Sequence, residues 1–156
     1  MGAKKAKSAK LIDELPYVEE ENVKSRRKVN IVDLFAGIGG FHYGISASAA
    51  KLGMGVKPLL VSEIEPSCKV TYAKNHQCEV EGDVNKVNLS AVSATADILT
   101  AGFPCQPFSN SGLKLGLSDP RGQFYKQIER IIKAYSAKSF ILENVPGIRT
   151  NGGGKY

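Results

Sequence analysis

The sequence predicts a doubly wound α/β fold on a parallel sheet. Short β-branched apolar runs alternate with helix-length segments from Val29 onward. The first of these runs is apolar enough to be buried on both faces. The residues capable of chemistry gather just after the apolar runs, where doubly wound sheets bind their ligands. Strand followed by helix, repeated, requires parallel strands and right-handed crossovers.

Taken in order, "VNIVDLF" is the first strand and "AGIGG" a turn. "GFHYGISASAAKLG" reads as a helix ending at Gly53, and "VKPLLVSE" as a second strand. "PSCKVTYAKNH" is a helix with Pro66 in its first turn, the position that tolerates proline. "CEVEGDV" holds a short third strand, "NLSAVSAT" a weak helix and "ADILTAG" a fourth strand. A glycine- and proline-rich loop runs from Gly102 to about Gly122. "QFYKQIERIIKAYS" places Phe124, Ile128, Ile131, Ile132 and Tyr135 on one helical face. "KSFILENV" is the fifth strand, and "PGIRTNGGGKY" has no packing face.

The 156 residues amount to one domain, with a net charge of +6. The first 28 residues hold eight Lys or Arg against five Asp or Glu, so half the excess lies on a Lys-, Glu- and Ala-rich extension. That extension is expected to be flexible, with a short helix near Ala3 to Leu15. The basic excess is compatible with a polyanionic partner without requiring one. No apolar run is long enough to span a membrane, and no signal peptide is apparent. Cysteines at 68, 78 and 105 form no CxxC pair, which fits a reducing cytosol. A zinc site from His42, Cys68, His76 and Cys78 lacks standard ligand spacing. Cys68 reads as a small core residue, and "GGGKY" is not a phosphate loop.

Five strand ends carry the candidate site. After the first strand, Gly37, Gly39 and Gly40 suit a tight turn or a close backbone approach to a nucleotide-like ligand, with His42 where a dinucleotide fingerprint has its third glycine. After the second comes Glu63, 23 residues beyond Gly40, where such folds place a carboxylate for ribose hydroxyls. Ile64 beside it offers an apolar face to a flat base, while Glu65 is solvated or caps a helix. Asp83, in "GDV", either accepts from an adenine amino group or caps the next helix. After the fourth strand, Cys105 lies between Pro104 and Pro107. Alone it would read as a core thiol. After the fifth comes Glu143, a carboxylate ending an apolar strand, costly unless used.

These segments, in this order, resemble the cytosine-5 DNA methyltransferases. "DLFAGIGGF", "SEIEP" and "GDV" are similar to the first three motifs of that family, "GFPCQPFSNSG" to its Pro-Cys motif, and "RGQFY" and "ENV" to two more. The resemblance covers about residues 29 to 150 and implies a Rossmann-like S-adenosylmethionine-dependent methyltransferase fold. It implies a cofactor site of Phe35, Ala36, Gly37, Ile38 and Gly40, with Glu63 on the ribose, Ile64 on adenine, and Asp83 and Val84 at the adenine edge. Gly102 and Pro104 would line the methionine side, with Phe124 nearby. Cys105 becomes the nucleophile and Glu143 its acid partner, with Gln106, Ser109 and Ser111 toward DNA. The implied substrate is double-stranded DNA with the cytosine flipped out.

Residues 29–150 are thus expected to form a partial cofactor-binding and catalytic domain, and 151–156 a loop end. Family members continue beyond the Glu-Asn-Val segment with an arginine-bearing motif, a target-recognition region and a final helix. The expectation is a split subunit or truncated chain that needs a C-terminal partner, in a bacterial or phage-like cytosol. Two alternatives stand beside it: a transfer-RNA cytosine-5 methyltransferase, and a non-catalytic remnant that only binds cofactor or a partner.

Overall fold

The computed structural model describes residues 27–106 and 123–150. The expected N-terminal helix, Ser109, Ser111 and the loop end at 151–156 lie outside these residues. Four strands form one parallel sheet: β1 (Lys28–Leu34), β2 (Gly55–Ser62), β3 (Ile98–Gly102) and β4 (Ser139–Glu143), in the order β2-β1-β3-β4. Four helices join or follow them: α1 (Gly40–Lys51), α2 (Pro66–His76), α3 (Phe124–Ala134) and α4 (Gly147–Thr150). Strand order reverses about β1, so β1 and β3 flank the switch point of a Rossmann-like α/β sheet.

The core lies against β1 and β3. Val32, Leu34, Leu99 and Ala101 are buried together with Ile128, Ile131 and Tyr135 of the α3 region. Five of the six residues from Ile31 to Ala36 are buried, as a central strand and its exit require. β2 carries Pro58, which has no N–H for the ladder. The register with β1 slips there, from Ile31 opposite Pro58 to Val32 opposite Leu60.

The amino edge of the sheet is stapled by Asp97. Its carboxylate accepts from the Asn30 backbone N–H (2.9 Å) and from Lys138 Nζ (2.7 Å). The Lys138 hydrogen bond and then the Asn30 N–H hold this carboxyl below its ordinary pKa.

Four sequence expectations need correction. The third strand is reduced to a single parallel bridge, Ser62 to Glu81, on the outer side of β2. Glu79, Glu81 and Gly82 leave too few apolar residues to extend it. The weak helix at 88–95 does not form. The chain makes a three-residue 3₁₀ turn, Val84–Lys86, and Asn88 Oδ1 then takes the Ser90 N–H, the side-chain competition that weakens short Ser- and Asn-rich helices. The described part of the segment after Pro146, Gly147–Thr150, does have a packing face, since it forms α4 and sets Ile148 against the core. Cys68 is half-buried on α2 and is not a core residue.

Candidate functional site

The chemistry-bearing residues meet at the carboxyl edge, in two groups. The first surrounds the turn after β1. Phe35 leaves the strand with φ +54°, a left-handed conformation that non-glycine residues seldom adopt. Gly37 (φ +55°) and Gly39 (φ +97°) continue the turn. A β-carbon on Gly39 would lie 2.3 Å from His76 Nε2, so the turn is pressed against α2. One on Gly37 or Gly40 would meet nothing within 4 Å, so the space before those two residues is open.

Glu63 joins this turn to the end of β2. Its Oε2 accepts from Gly37 N–H at 2.8 Å, and its Oε1 accepts from the N–H groups of Ile64 and Glu65, both at 2.8 Å. Ala36 N–H bonds the Ser62 carbonyl at 3.1 Å. The carboxylate is therefore oriented by backbone and keeps acceptor capacity for further donors. Ile38 and Ile64 flank it with 59% and 72% of their surfaces exposed, two large apolar side chains facing outward beside a charge. Glu65 stands at the N-cap position of α2 without a side-chain capping bond.

Asp83 and Val84 adjoin this group through the bridge beside β2, where Glu63 N–H bonds the Glu81 carbonyl and Ser62 Oγ bonds the Gly82 carbonyl. Asp83 does cap: its Oδ1 accepts from Asn85 N–H and from Asn85 Nδ2. Val84 is buried.

The second group ends β3 and β4. Gly102 is in register with Glu143, and a β-carbon on Gly102 would stand 3.6 Å from Glu143 Oε2. Phe103 is buried, Pro104 and Cys105 are half-buried, and Gln106 is exposed. Asn144 Nδ2 donates to the Phe103 carbonyl at 3.1 Å and so ties the two strand exits together. Phe124, the first residue of α3, packs edge-on against Phe35 with centroids 5.1 Å apart, which links α3 to the glycine turn.

The sequence reading missed a buried polar cluster beneath the first group. Asp33 is fully buried; its Oδ1 accepts from Thr100 Oγ1 (2.6 Å) and its Oδ2 from Tyr72 Oη (3.1 Å). Tyr72 Oη also lies 2.8 Å from His42 Nδ1, and His42 stacks on His76 at 3.9 Å. Because the tyrosine proton goes to Asp33, its oxygen accepts from His42, which places the imidazole proton on Nδ1. Burial pushes the Asp33 carboxyl up to about 6, and burial with the neighbouring His76 pushes His42 down to about 4. An acid inside an otherwise apolar strand was the available signal for Asp33. The pairing of Tyr72 with His42 had none, since they are 30 residues apart.

The first group fits an adenosine-bearing ligand: a turn with open space before it, an oriented carboxylate for hydroxyl donors, and two exposed isoleucines for an aromatic ring. The second offers a thiol with a carboxylate on the neighbouring strand exit. The model of the C-5 cytosine-specific DNA methylase family matches residues 29–156. The chain is 42% identical over 127 residues to the type II methyltransferase M.HgiCI of Herpetosiphon aurantiacus, covering 81% of this chain and 30% of that protein. It is 41% identical to M1.ScrFI of Lactococcus lactis subsp. cremoris, covering 86% and 33%. The Dnmt2 methyltransferase of S. pombe shares the fold at 19% identity and a TM-score of 0.58, over 83% of this chain and 38% of that one. The chain thus spans about 30% of the length of the curated relatives it matches. With its glycine turn, its Pro-Cys strand exit and its Glu-Asn-Val exit in one frame, this chain belongs to the C-5 cytosine-specific DNA methylase family.

Proposed function

We propose that this chain carries the cofactor-binding and nucleophile-bearing part of a DNA (cytosine-5-)-methyltransferase of the restriction-modification kind. One observation carries the reading furthest. Gly102 and Glu143 are register partners and Asn144 bonds the Phe103 carbonyl, so Glu143 ends β4 beside the exit of β3 that leads, three residues past Gly102, to Cys105.

Phe35, Ala36, Gly37, Ile38 and Gly40 surround S-adenosylmethionine in this reading. Glu63 takes its ribose hydroxyls, Ile64 its adenine face, and Asp83 and Val84 its adenine edge. Gly102, Pro104 and Phe124 line the methionine side. The cofactor supplies an electrophilic methyl group. Cys105 adds through Sγ to carbon 6 of a flipped cytosine, and the ring electrons move toward carbon 5 and nitrogen 3. Glu143 offers its carboxyl proton at nitrogen 3, where negative charge arrives. Carbon 5 would take the methyl, with S-adenosylhomocysteine as the leaving thioether. A base such as water would then remove the carbon 5 proton, the Sγ–carbon 6 bond would break to re-form the carbon 5–carbon 6 double bond and the thiolate, and nitrogen 3 would return its proton to Glu143. Gln106, Ser109 and Ser111 would contact DNA in this reading.

A C-terminal partner or segment completes the enzyme. In support, all five residues of β4 are exposed, including Phe140, Ile141 and Leu142, whereas the corresponding residues of β3 are buried or half-buried. An edge strand with apolar side chains and unpaired backbone groups is a surface for further polypeptide.

The test is capture of DNA containing 5-fluorocytosine in the presence of S-adenosylmethionine, by this chain alone and mixed with a separately made C-terminal part of a relative. The expected outcome is a covalent adduct at Cys105 in the mixture and none with Cys105→Ser, a loss of about 10³-fold or more. No adduct with a well-folded mixture counts against a catalytic role. Methylation of transfer RNA but not DNA would replace the substrate.

A further inference from the structure

From the bridge at Glu81 to the start of β3, the only regular element is the three-residue turn Val84–Lys86. Asp83 and Val84 open that turn, so its placement decides where their polar atoms point. The turn closes on itself through one backbone bond, Lys86 N–H to the Asp83 carbonyl at 2.8 Å.

One side chain of α3, Arg130, hydrogen-bonds it from outside. Arg130 Nη2 donates to the Val84 carbonyl at 3.1 Å, and Nη1 to the Val87 carbonyl at 3.3 Å. Its Nε donates to Gln127 Oε1 at 2.9 Å, which fixes the guanidinium plane. Val84 and Val87 are buried against Ile128 and Ile131 of the same helix, so their carbonyls need a partner from that side. A planar fork of five donors can bridge both carbonyls at once, which a lysine ammonium on a flexible stem does not reproduce.

We propose that Arg130 is a positioning residue for adenine recognition. Its guanidinium sets the Val84–Val87 turn so that Asp83 and Val84 face the edge of the base. This rests on the cofactor reading above and adds to it a residue that touches no ligand. Arg130 therefore governs base discrimination more than overall affinity.

The experiment is calorimetric titration of the whole chain with S-adenosylhomocysteine and with its inosine counterpart, in which an oxo group replaces the adenine amine. The parent is expected to prefer the adenine ligand by about tenfold or more. Arg130→Met is expected to weaken the adenine ligand about tenfold and the inosine ligand by less than about threefold, which collapses the preference. Arg130→Lys is expected to behave likewise despite its retained charge, and serves if the methionine variant does not fold. Equal weakening of both ligands, or an unchanged preference in a folded variant, would overturn the positioning role. So would failure of both variants to fold, which would make Arg130 a stability residue. A parent without preference for adenine, or without binding, would remove the Asp83 reading itself and the proposal with it.

Discussion

The two groups at the carboxyl edge are built differently. Around β1 and β2 the polar groups are tied down within the chain. Glu63 takes three backbone N–H groups, and Asp33 is enclosed by Thr100 and Tyr72. At the ends of β3 and β4, Cys105 is half-buried, Glu143 is exposed, and a hydrogen bond donated by the Asn144 side-chain amide links the two strand exits. A small ligand that binds to a rigid frame favours the first construction. A macromolecular substrate that must enter and leave favours the second, because surfaces that receive a partner stay open until it arrives. If the two groups hold the cofactor and the reacting base as proposed, the difference teaches that ligand binding and base chemistry can be perturbed separately.

The sharpest test of the enclosed side is pH. The Asp33 carboxyl, raised from 3.8 to about 6, is less tolerant of charge when folded, so its contribution destabilises the fold above pH 6 and that cost disappears as pH falls toward 3.8. His42, lowered from 6.5 to about 4, does the reverse: the fold loses stability as pH falls from 6.5 to 4. Each contribution is worth about 3 kcal/mol, and the two oppose one another over nearly the same range. Asp33→Asn should therefore steepen the loss of stability on acidification by up to that amount relative to the parent. His42→Gln should remove a loss of similar size. Urea unfolding between pH 7 and pH 4 measures both. Curves parallel to the parent's would mean that the cluster does not titrate as its burial requires.

A smaller effect separates the groups by function. Glu63→Ala removes the carboxylate that joins the glycine turn to β2, and should weaken S-adenosylhomocysteine about 30-fold. Asn144→Ala should leave that affinity within about twofold, yet slow capture of 5-fluorocytosine DNA in the complemented assembly about tenfold, by loosening the tie to Phe103. If Asn144→Ala weakened cofactor binding as much as Glu63→Ala did, the two groups would be one mechanical unit and not two.

Much of this was legible along the chain. Proline at the start of α2, the apolar face of α3, and Glu63 and Cys105 just beyond β2 and β3 are local signals, and each lies where its spacing put it, whereas Asp83 follows only the bridge at Glu81 and Glu143 is the last residue of β4. The apolar run of β4 forms the strand its pattern predicts, but it lies at the sheet edge with all five residues exposed among the described residues, a position that the pattern does not announce. The third strand and the weak helix failed because short, polar segments take their structure from neighbours.

The sequence by itself determined the family, the parallel α/β class and the set of residues able to do chemistry, because these follow from residue type and near-neighbour spacing. Tertiary structure alone decided the pairing of Gly102 with Glu143, the bond from Asn144 to Phe103, the left-handed Phe35, the Asp33–Tyr72–His42 cluster and the Arg130 clamp. Most of these join residues more than 25 positions apart, and the chain brings such groups within hydrogen-bond distance only once the sheet and its helices have packed.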